Sequence, residues 1–184
     1  MPNYRRWRQE GGIVFLTVVT YGREGLFRDA AARRHLKAAL GQVRAVRPWR
    51  MDGIVLLPDH LHMLWRLPEG DADYSTRVGE MKKTFTRAFL SDGGSERRVT
   101  GSQWRLGRRG VWQPRFWEHV IRDARDFRKH LDYIHINPVK HGLATRPWDW
   151  PWSTFRRYVA GGWYERQWSG PDDLATNVEY LWME

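Results

Sequence analysis

The chain has 184 residues, which fits one domain with extensions, and it has no cysteine, which excludes disulfides, thiolate metal sites and thiol nucleophiles. No segment approaches the roughly 20 apolar residues that a membrane span requires, and the polar, basic start is unlike a signal peptide, so we expect a soluble cytoplasmic protein. The formal net charge of +10 favours a polyanionic partner, nucleic acid ahead of an anionic membrane surface, because neutralised phosphates release condensed counterions.

The first third of the chain is predicted to form a strand, a helix and two further strands. Residues Ile13–Tyr21 are β-branched and aromatic, which is typical of a buried strand. Residues Asp29–Val46 carry apolar side chains at helical spacing. Residues Met51–Leu57 and His60–Leu67 are apolar runs on either side of the turn pair Pro58-Asp59, so we expect them to be neighbouring antiparallel strands.

The remainder adds two helices, a loop and one strand. Residues Tyr74–Leu90 have one apolar face and predict a helix, and the Gly- and Arg-rich segment Ser91–Arg109 predicts a flexible basic loop. Residues Val111–Ile121 follow as a strand and Asp123–Ile136 as a helix that ends at Asn137-Pro138. The order βαββαβ with a trailing helix predicts an α+β, ferredoxin-like (split βαβ) fold, in which helices cover one face of an antiparallel sheet.

A histidine pair lies at the start of the third predicted strand. His60 and His62 are two residues apart, so their side chains leave the same face and both imidazoles can reach one metal ion. The alternative is two polar residues that merely begin a strand. Leu61, Met63 and Trp65 on the opposite face are apolar, and two histidines on such a strand need polar partners, which favours the metal site.

A tyrosine and an asparagine lie four residues apart near the end of the third helix. Tyr133 and Asn137 therefore project from one helix face, where one can attack a phosphate while the other binds a metal. A phenol has a pKa of about 10, so such a nucleophile needs a divalent ion, Mg²⁺ or Mn²⁺, of which Mn²⁺ best tolerates mixed imidazole and amide ligands. The alternative for Tyr133 is a helix residue that covers the core. His135 points elsewhere and is predicted at the surface or behind the site.

Basic and aromatic side chains provide candidate contacts to single-stranded DNA. Several of the twelve tryptophans adjoin arginines, a combination that suits unstacked bases, although core packing explains tryptophans equally well. The candidate DNA-binding residues lie at the start of the chain, on the second helix and in the basic loop. They are Arg5, Arg6, Arg8, Lys82, Lys83, Arg105, Arg108 and Arg109.

Four segments together resemble one known family. They are Phe15–Arg23 (FLTVVTYGR), Val55–Trp65 (VLLPDHLHMLW), Asp132–Leu143 (DYIHINPVKHGL) and Trp148–Ser153 (WDWPWS). In this order they are similar to the REP-associated tyrosine transposases, which belong to the single-tyrosine branch of the HUH endonucleases. The resemblance extends from about Tyr4 to Tyr158.

The resemblance implies a site and a substrate. It implies that His60 and His62 bind the divalent metal, that Tyr133 attacks DNA, and that Asn137 takes the position of a further ligand, where relatives often have glutamine. It also implies the HUH type of the fold predicted above, and palindromic hairpin DNA with a short single-stranded guide as substrate. The implied products are a 5′-phosphotyrosine intermediate and a free 3′-hydroxyl, and the implied location is the nucleoid.

Two other functions are compatible with the residues alone. A basic ferredoxin-like domain with aromatic side chains also describes non-catalytic modules that bind single-stranded nucleic acid. A histidine-ligated phosphodiesterase that activates water would form no covalent adduct with DNA and would not need Tyr133. Whether the protein is a monomer or a homodimer is open at this point.

The C-terminal residues differ in charge from the rest of the chain. Residues 163–184 contain five acidic residues and one basic residue, a net charge of −4, and several aromatic side chains. We therefore divide the chain into a catalytic domain, residues 1–162, and an acidic aromatic tail, residues 163–184. Such a tail can imitate DNA and compete for the binding groove. The alternative is that its aromatic residues complete the core.

Overall fold

The computed structural model describes residues 9–171, which form an antiparallel sheet with helices on both faces. The four strands are β1 Ile13–Val19, β2 Arg50–Leu56, β3 His60–Arg66 and β4 Trp117–Val120. Their order is β2-β3-β1-β4, and each neighbouring pair is antiparallel. This is the order of the split βαβ, ferredoxin-like fold, so the predicted α+β class is confirmed.

An aspartate caps the N-terminus of each of the three long helices. The helices are α1 Ala30–Val46, α2 Tyr74–Ser91, α3 Gly101–Arg105, α4 Ala124–Lys140 and α5 Phe155–Ala160. The carboxylates of Asp29, Asp73 and Asp123 accept hydrogen bonds from the otherwise unpaired N–H groups of the first turns of α1, α2 and α4. No helix within residues 9–171 is long and apolar enough to cross a membrane.

Both faces of the sheet are buried, which corrects the prediction that helices cover only one face. Val14 and Leu16 of β1 lie in one core with α1 and α2. Phe15, between them in sequence, points the other way into a second core with α4 and α5. The six residues 60–65 of β3 are all buried, and a strand buried on both faces needs cover on both. α4 supplies that second cover.

A glycine lets α4 approach the sheet closely. A Cβ atom at Gly53 of β2 would lie 3.2 Å from the Cδ1 atoms of both Leu131 and Ile134. Most side chains at this position would therefore push α4 away from the sheet. The close contact brings the middle of α4 against the face that carries His60 and His62.

The third long helix is one turn longer than predicted. α4 continues through Pro138 to Lys140, whereas the sequence pattern placed its end at Asn137-Pro138. Proline removes one backbone donor, but Pro138 is itself buried and lies in the last turn, where an interrupted hydrogen bond disturbs few others. The added turn places Lys140 and His141 beside the histidine pair.

The segment before β4 also differs from its prediction. The basic loop Ser91–Arg109 contains the short helix α3, which begins with a capping box between Thr100 and Gln103. The predicted strand Val111–Ile121 is regular only over the four residues of β4. Pro114, which cannot donate to a ladder, lies in the irregular part.

The beginning of the C-terminal segment is part of the second core. Tyr164 is 6% exposed, donates a hydrogen bond to the Asp132 carboxylate and packs on Phe155. Trp168 stacks on Phe155 and contacts Tyr164. Tyr164 and Trp168 thus help to complete the core, as in the alternative for this segment, whereas Trp163 is 50% exposed. Residues 172–184 lie outside the described residues.

Candidate catalytic and metal site

The two histidines of β3 meet under α4 with their rings 4.9 Å apart. Nδ1 of His60 donates to the Asp59 carboxylate at 2.6 Å, and Nδ1 of His62 lies 2.8 Å from the Thr17 hydroxyl on β1. His60 is 2% and His62 0% exposed. The Nε2 atom of each is buried and has no hydrogen-bond partner among residues 9–171. One nitrogen of each ring is thus held in place while the other is available to a ligand.

Electrostatics keeps His62 neutral and Asp59 charged. Burial lowers the pKa of His62 well below its ordinary value, and the electrostatic interactions with His60, His141 and Lys140 lower it further. Burial acts to raise the pKa of Asp59, but the hydrogen bond and charge interaction with His60, together with those of Arg23, outweigh burial and the pKa is lowered. A neutral imidazole with a free lone pair is the form that binds metal ions.

Tyr133 reaches the histidines from α4. Its ring lies 5.1 Å from the His62 ring at 71° and 5.9 Å from the Phe15 ring. The Lys140 ammonium lies 5.3 Å from the centre of the same ring. Tyr133 is fully buried, so a DNA phosphate can reach its hydroxyl only when the groups that cover it move aside. This burial agrees with the alternative stated for Tyr133, a helix residue that covers the core.

Asn137 lies between two residues that touch the histidine pair. Tyr133, Asn137 and His141 are spaced four apart and form one stripe along α4. Tyr133 contacts His62, and the His141 ring lies 5.2 Å from that of His60. Asn137 is fully buried, and neither polar atom of its side chain has a hydrogen-bond partner within residues 9–171.

The residues at this site fit a divalent cation. Buried polar atoms without partners are costly, and three candidate ligand atoms are in that condition: Nε2 of His60, Nε2 of His62 and Oδ1 of Asn137. The partners on Nδ1 complete the pattern, because histidines that bind metals usually donate their other nitrogen to a carboxylate, carbonyl, hydroxyl or water. Thr17 and Asp59 were not predicted as site residues.

A second group of potential ligands lies on the same sheet face. His119 of β4 and Asp126 and His130 of α4 offer ligand atoms that all lie within 4.8 Å of one another. No sequence motif predicts this group, because its residues come together only through the pairing of β4 with β1 and the packing of α4. The only signal was the four-residue spacing of Asp126 and His130 on one helix.

His135 points away from the site, as predicted, but it is buried rather than at the surface. Its Nε2 atom lies 3.0 Å from the Thr154 hydroxyl, and its ring packs on Phe155, Tyr158 and Tyr164. Burial lowers the pKa of His135 to about 3. Its role in the structure is therefore to join α4 to α5 and the segment that follows.

The buried histidines predict a loss of stability in acid. Burial also lowers the pKa of His130 to about 4. Because both pKa values lie below the unfolded value of about 6.5, the unfolded state binds more protons as the pH falls through that value, and stability decreases. From pH 7 to pH 5 we expect the free energy of unfolding in urea to fall by about 2 kcal/mol for each such histidine. In His135→Gln this fall between pH 7 and pH 5 should be smaller by the contribution of one histidine. Equal stability of the wild type at both pH values would contradict the prediction.

The candidate DNA-binding residues have different environments. Arg5, Arg6 and Arg8 lie outside the described residues. Lys82 donates to the backbone carbonyls of Gln113 and Arg115, and Arg109 forms a two-point ion pair with Glu96. The exposed side chains of Lys83, Arg105 and Arg108 form no ion pair within residues 9–171. A groove of about 700 Å³ between α2 and residues 106–114 is lined by the basic residues Lys82, Lys83, Arg87, Arg108 and Arg109.

Comparison with known proteins shows close relatives over nearly the whole chain, although no family model matches. The chain is 42% identical over 170 residues to the REP-associated tyrosine transposase of Escherichia coli K12, covering 92% of each protein. A Haemophilus influenzae Rd protein named for the same family is 38% identical over 174 residues, covering 95% of this chain and 97% of that protein. A solved structure of the REP-associated tyrosine transposase bound to a REP hairpin superimposes with a TM-score of 0.77, at 42% identity and 93% coverage of both chains.

Proposed function

This chain belongs to the REP-associated tyrosine transposases, and on that premise we propose that it cuts and transfers single DNA strands beside palindromic hairpins, with Tyr133 as the nucleophile. The observation that carries the mechanism is the contact between Tyr133 and the histidine pair, with the Tyr133 ring 5.1 Å from His62. A substrate of this kind also implies association with the nucleoid.

Cleavage proceeds by attack of the Tyr133 oxygen on a backbone phosphorus. The new bond joins the phenol oxygen to phosphorus, the bond from phosphorus to the 3′-oxygen breaks, and the leaving strand ends in a 3′-hydroxyl. One proton passes, through solvent, from the attacking phenol to the departing 3′-oxygen, and the positive charge of Lys140, 5.3 Å from the ring, stabilises the negative charge that develops on the phenol oxygen. Strand transfer is the reverse reaction with a different 3′-hydroxyl as the attacking group.

The cation proposed for this site is Mg²⁺ or Mn²⁺, held by His60, His62 and Asn137. When bound, it polarises the scissile phosphate and stabilises the charge that develops on it. Asp59 and Thr17 fix the two imidazoles, so that little rearrangement of the ligands is needed. Mn²⁺ suits this nitrogen-rich set better than Mg²⁺, which prefers oxygen ligands.

The experiment that tests the proposal uses hairpin DNA with single-stranded flanks, labelled at one end. With protein and Mn²⁺, the fragment labelled at its 3′ end should migrate with the protein on a denaturing gel until protease releases it. The fragment labelled at its 5′ end should be released with a free 3′-hydroxyl. Binding without cutting would identify a binding module. Cutting without an adduct would identify a phosphodiesterase that uses water.

DNA binding should weaken steeply as the salt concentration rises. We propose that Lys83, Arg105 and Arg108 contact phosphates, since they are exposed and form no ion pairs among the described residues. Each phosphate contact on a single strand contributes about −0.7 to the slope of log affinity against log salt. Lys83→Ala combined with Arg108→Ala should therefore make the slope less negative by about 1.4 in fluorescence anisotropy. Arg44→Ala, an exposed arginine of α1 outside the groove, is the control, and equal slopes for all proteins would refute the assignment.

We propose that the acidic tail competes with DNA, and the packing of Tyr164 and Trp168 moves its beginning from residue 163 to about residue 172. Residues 172–184 have four acidic residues and no basic one. Deletion after Pro171 should leave the melting temperature unchanged and tighten DNA binding at low salt, with the gain shrinking as salt screens the charges. Deletion after Gly162 should instead destabilise the fold. If deletion after Pro171 leaves the DNA affinity unchanged, the proposal is refuted.

A further inference from the structure

Three aromatic rings form a stack that runs from the surface into the protein beside the candidate site. Trp117 and His119 lie on the same face of β4, with ring centres 6.1 Å apart and planes 9° from parallel. His119 stacks in turn on His130 of α4, at 4.6 Å and 11°. Trp117 is 39% exposed and His130 is 2% exposed. The outer ring of the stack is thus open to solvent while the inner ring is fixed.

Asp126 holds the two imidazoles in place. Its Oδ2 atom lies 2.8 Å from Nε2 of His119. Nδ1 of His130 donates to the Asp126 backbone carbonyl oxygen at 2.8 Å and lies 3.1 Å from Oδ1 of the carboxylate. The backbone N–H of Arg122 donates to Oδ2 as well. Because Asp126 fixes one ring through its carboxylate and the other through its backbone carbonyl, the histidines present a rigid support against which Trp117 packs.

The parallel rings argue against a metal ion shared by these histidines. A metal lies in the plane of each imidazole that binds it, about 2.1 Å from the nitrogen. His119 and His130 are nearly parallel and stacked, so one ion cannot lie in both planes unless a ring turns. The arrangement supports stacking and not chelation, although the three residues have a suitable composition for a metal site.

The stack lies beside the candidate nucleophile and metal ligands. Trp117 is the β-ladder partner of Thr17, and Thr17 is the partner of His62, so the three share one row across the sheet. Neighbouring strands are about 4.8 Å apart, which puts the backbone of Trp117 about 10 Å from that of His62. A few nucleotides of one strand cover such a distance. Phe15 contacts both Trp117 and Tyr133, which links the stack to the nucleophile.

We propose that the exposed face of Trp117 stacks an unpaired base of the single strand that flanks the scissile phosphate. The proposal rests on the proposed function, since it names a base-binding position of the same site. Every base has a π face, so an indole on a rigid support binds it with little dependence on sequence. Arg115, exposed two residues before Trp117 and without an ion pair in the described part of the chain, supplies a positive charge for the adjoining phosphate.

The test is an equilibrium measurement in the uncleaving Tyr133→Phe background. Hairpin DNA carries the fluorescent base 2-aminopurine at one flanking position at a time, and stacking on an indole quenches it. We expect quenching at one or two adjacent positions, lost in Trp117→Ala together with about 10- to 100-fold of affinity. Trp117→Phe should retain part of both. Trp152→Ala is the matched control, because Trp152 is also 39% exposed but packs under Arg33 of α1.

A second variant and a measurement of cutting distinguish failure of the base-binding position from failure of the proposed function. Trp117→Leu keeps an apolar side chain without a π face, so it should melt like the wild type and still lose the quenching. Quenching and affinity that survive in both Trp117→Ala and Trp117→Leu, or an equal loss in Trp152→Ala, would overturn the inference. If quenching depends on Trp117 but the wild-type protein with Mn²⁺ never cuts DNA, the base-binding position is retained and the proposed function is rejected. If the wild type cuts DNA normally but quenching and affinity do not depend on Trp117, the proposed function is retained and the base-binding position is rejected.

Discussion

Tyr133→Phe is expected to abolish the covalent protein–DNA adduct and to lower the rate of strand cleavage by about 10⁴-fold or more, the size of effect that removal of a catalytic nucleophile produces. The substitution deletes one oxygen atom, which is the atom that would form the bond to phosphorus. The Tyr133 ring contacts His62 and Phe15 through its faces and edges, and phenylalanine preserves both contacts. DNA affinity should therefore remain near that of the wild type while cleavage is lost.

Tyr158→Phe provides the matched control for this substitution. Tyr158 belongs to the same core, and its hydroxyl donates to the backbone carbonyl of Asp52. Its loss removes one hydrogen bond, worth about 1 kcal/mol, without changing the group that attacks DNA. Cleavage by this variant should match that of the wild type at temperatures where both are folded. An adduct that persists in Tyr133→Phe would show that another side chain is the nucleophile.

The sequence predicts the parts of the site that lie within one element. A two-residue period places His60 and His62 on one strand face, and a four-residue spacing aligns Tyr133 with Asn137 on one helix face. Both relations are local, so they need no knowledge of the rest of the fold. In the structure the rings of His60 and His62 lie 4.9 Å apart, and the Tyr133 ring lies 5.1 Å from that of His62.

Except for Asp59, which adjoins His60 in sequence, the supporting residues could not be predicted, because they depend on pairing between distant elements. Thr17 holds His62 only because β1 and β3 pair across 45 residues of sequence. Residues 130–138 of α4 are all buried, so no polar stripe marks the side that faces the sheet. The turn beyond Pro138 brings in Lys140 and His141, and a proline normally predicts the end of a helix there.

Loss of the proposed metal ligands should have the second large effect. We expect His60→Ala and His62→Ala each to lower Mn²⁺-dependent cleavage by about 10³-fold, because a bound cation supplies several kcal/mol of transition-state stabilisation. Each substitution also removes a buried nitrogen that has no partner among the described residues, so we expect little change in the free energy of unfolding. Calorimetric titration with Mn²⁺ should show the lost affinity directly, apart from any measurement of activity.

Substitutions at Asn137 and Thr17 should have intermediate effects on Mn²⁺ binding. They distinguish loss of a bound cation from a general disturbance of the site. Asn137→Ala should weaken Mn²⁺ binding, and Asn137→Gln, which restores an amide oxygen on a longer side chain, should recover part of it. Thr17→Val keeps the shape of the side chain but removes the partner of His62 Nδ1, and we expect Mn²⁺ affinity to fall by about 10- to 100-fold. His35→Ala, which changes a histidine of α1 that pairs with Asp92, is the control. If His60→Ala and His62→Ala bind Mn²⁺ and cut DNA as well as His35→Ala does, then this pair of histidines holds no catalytic cation.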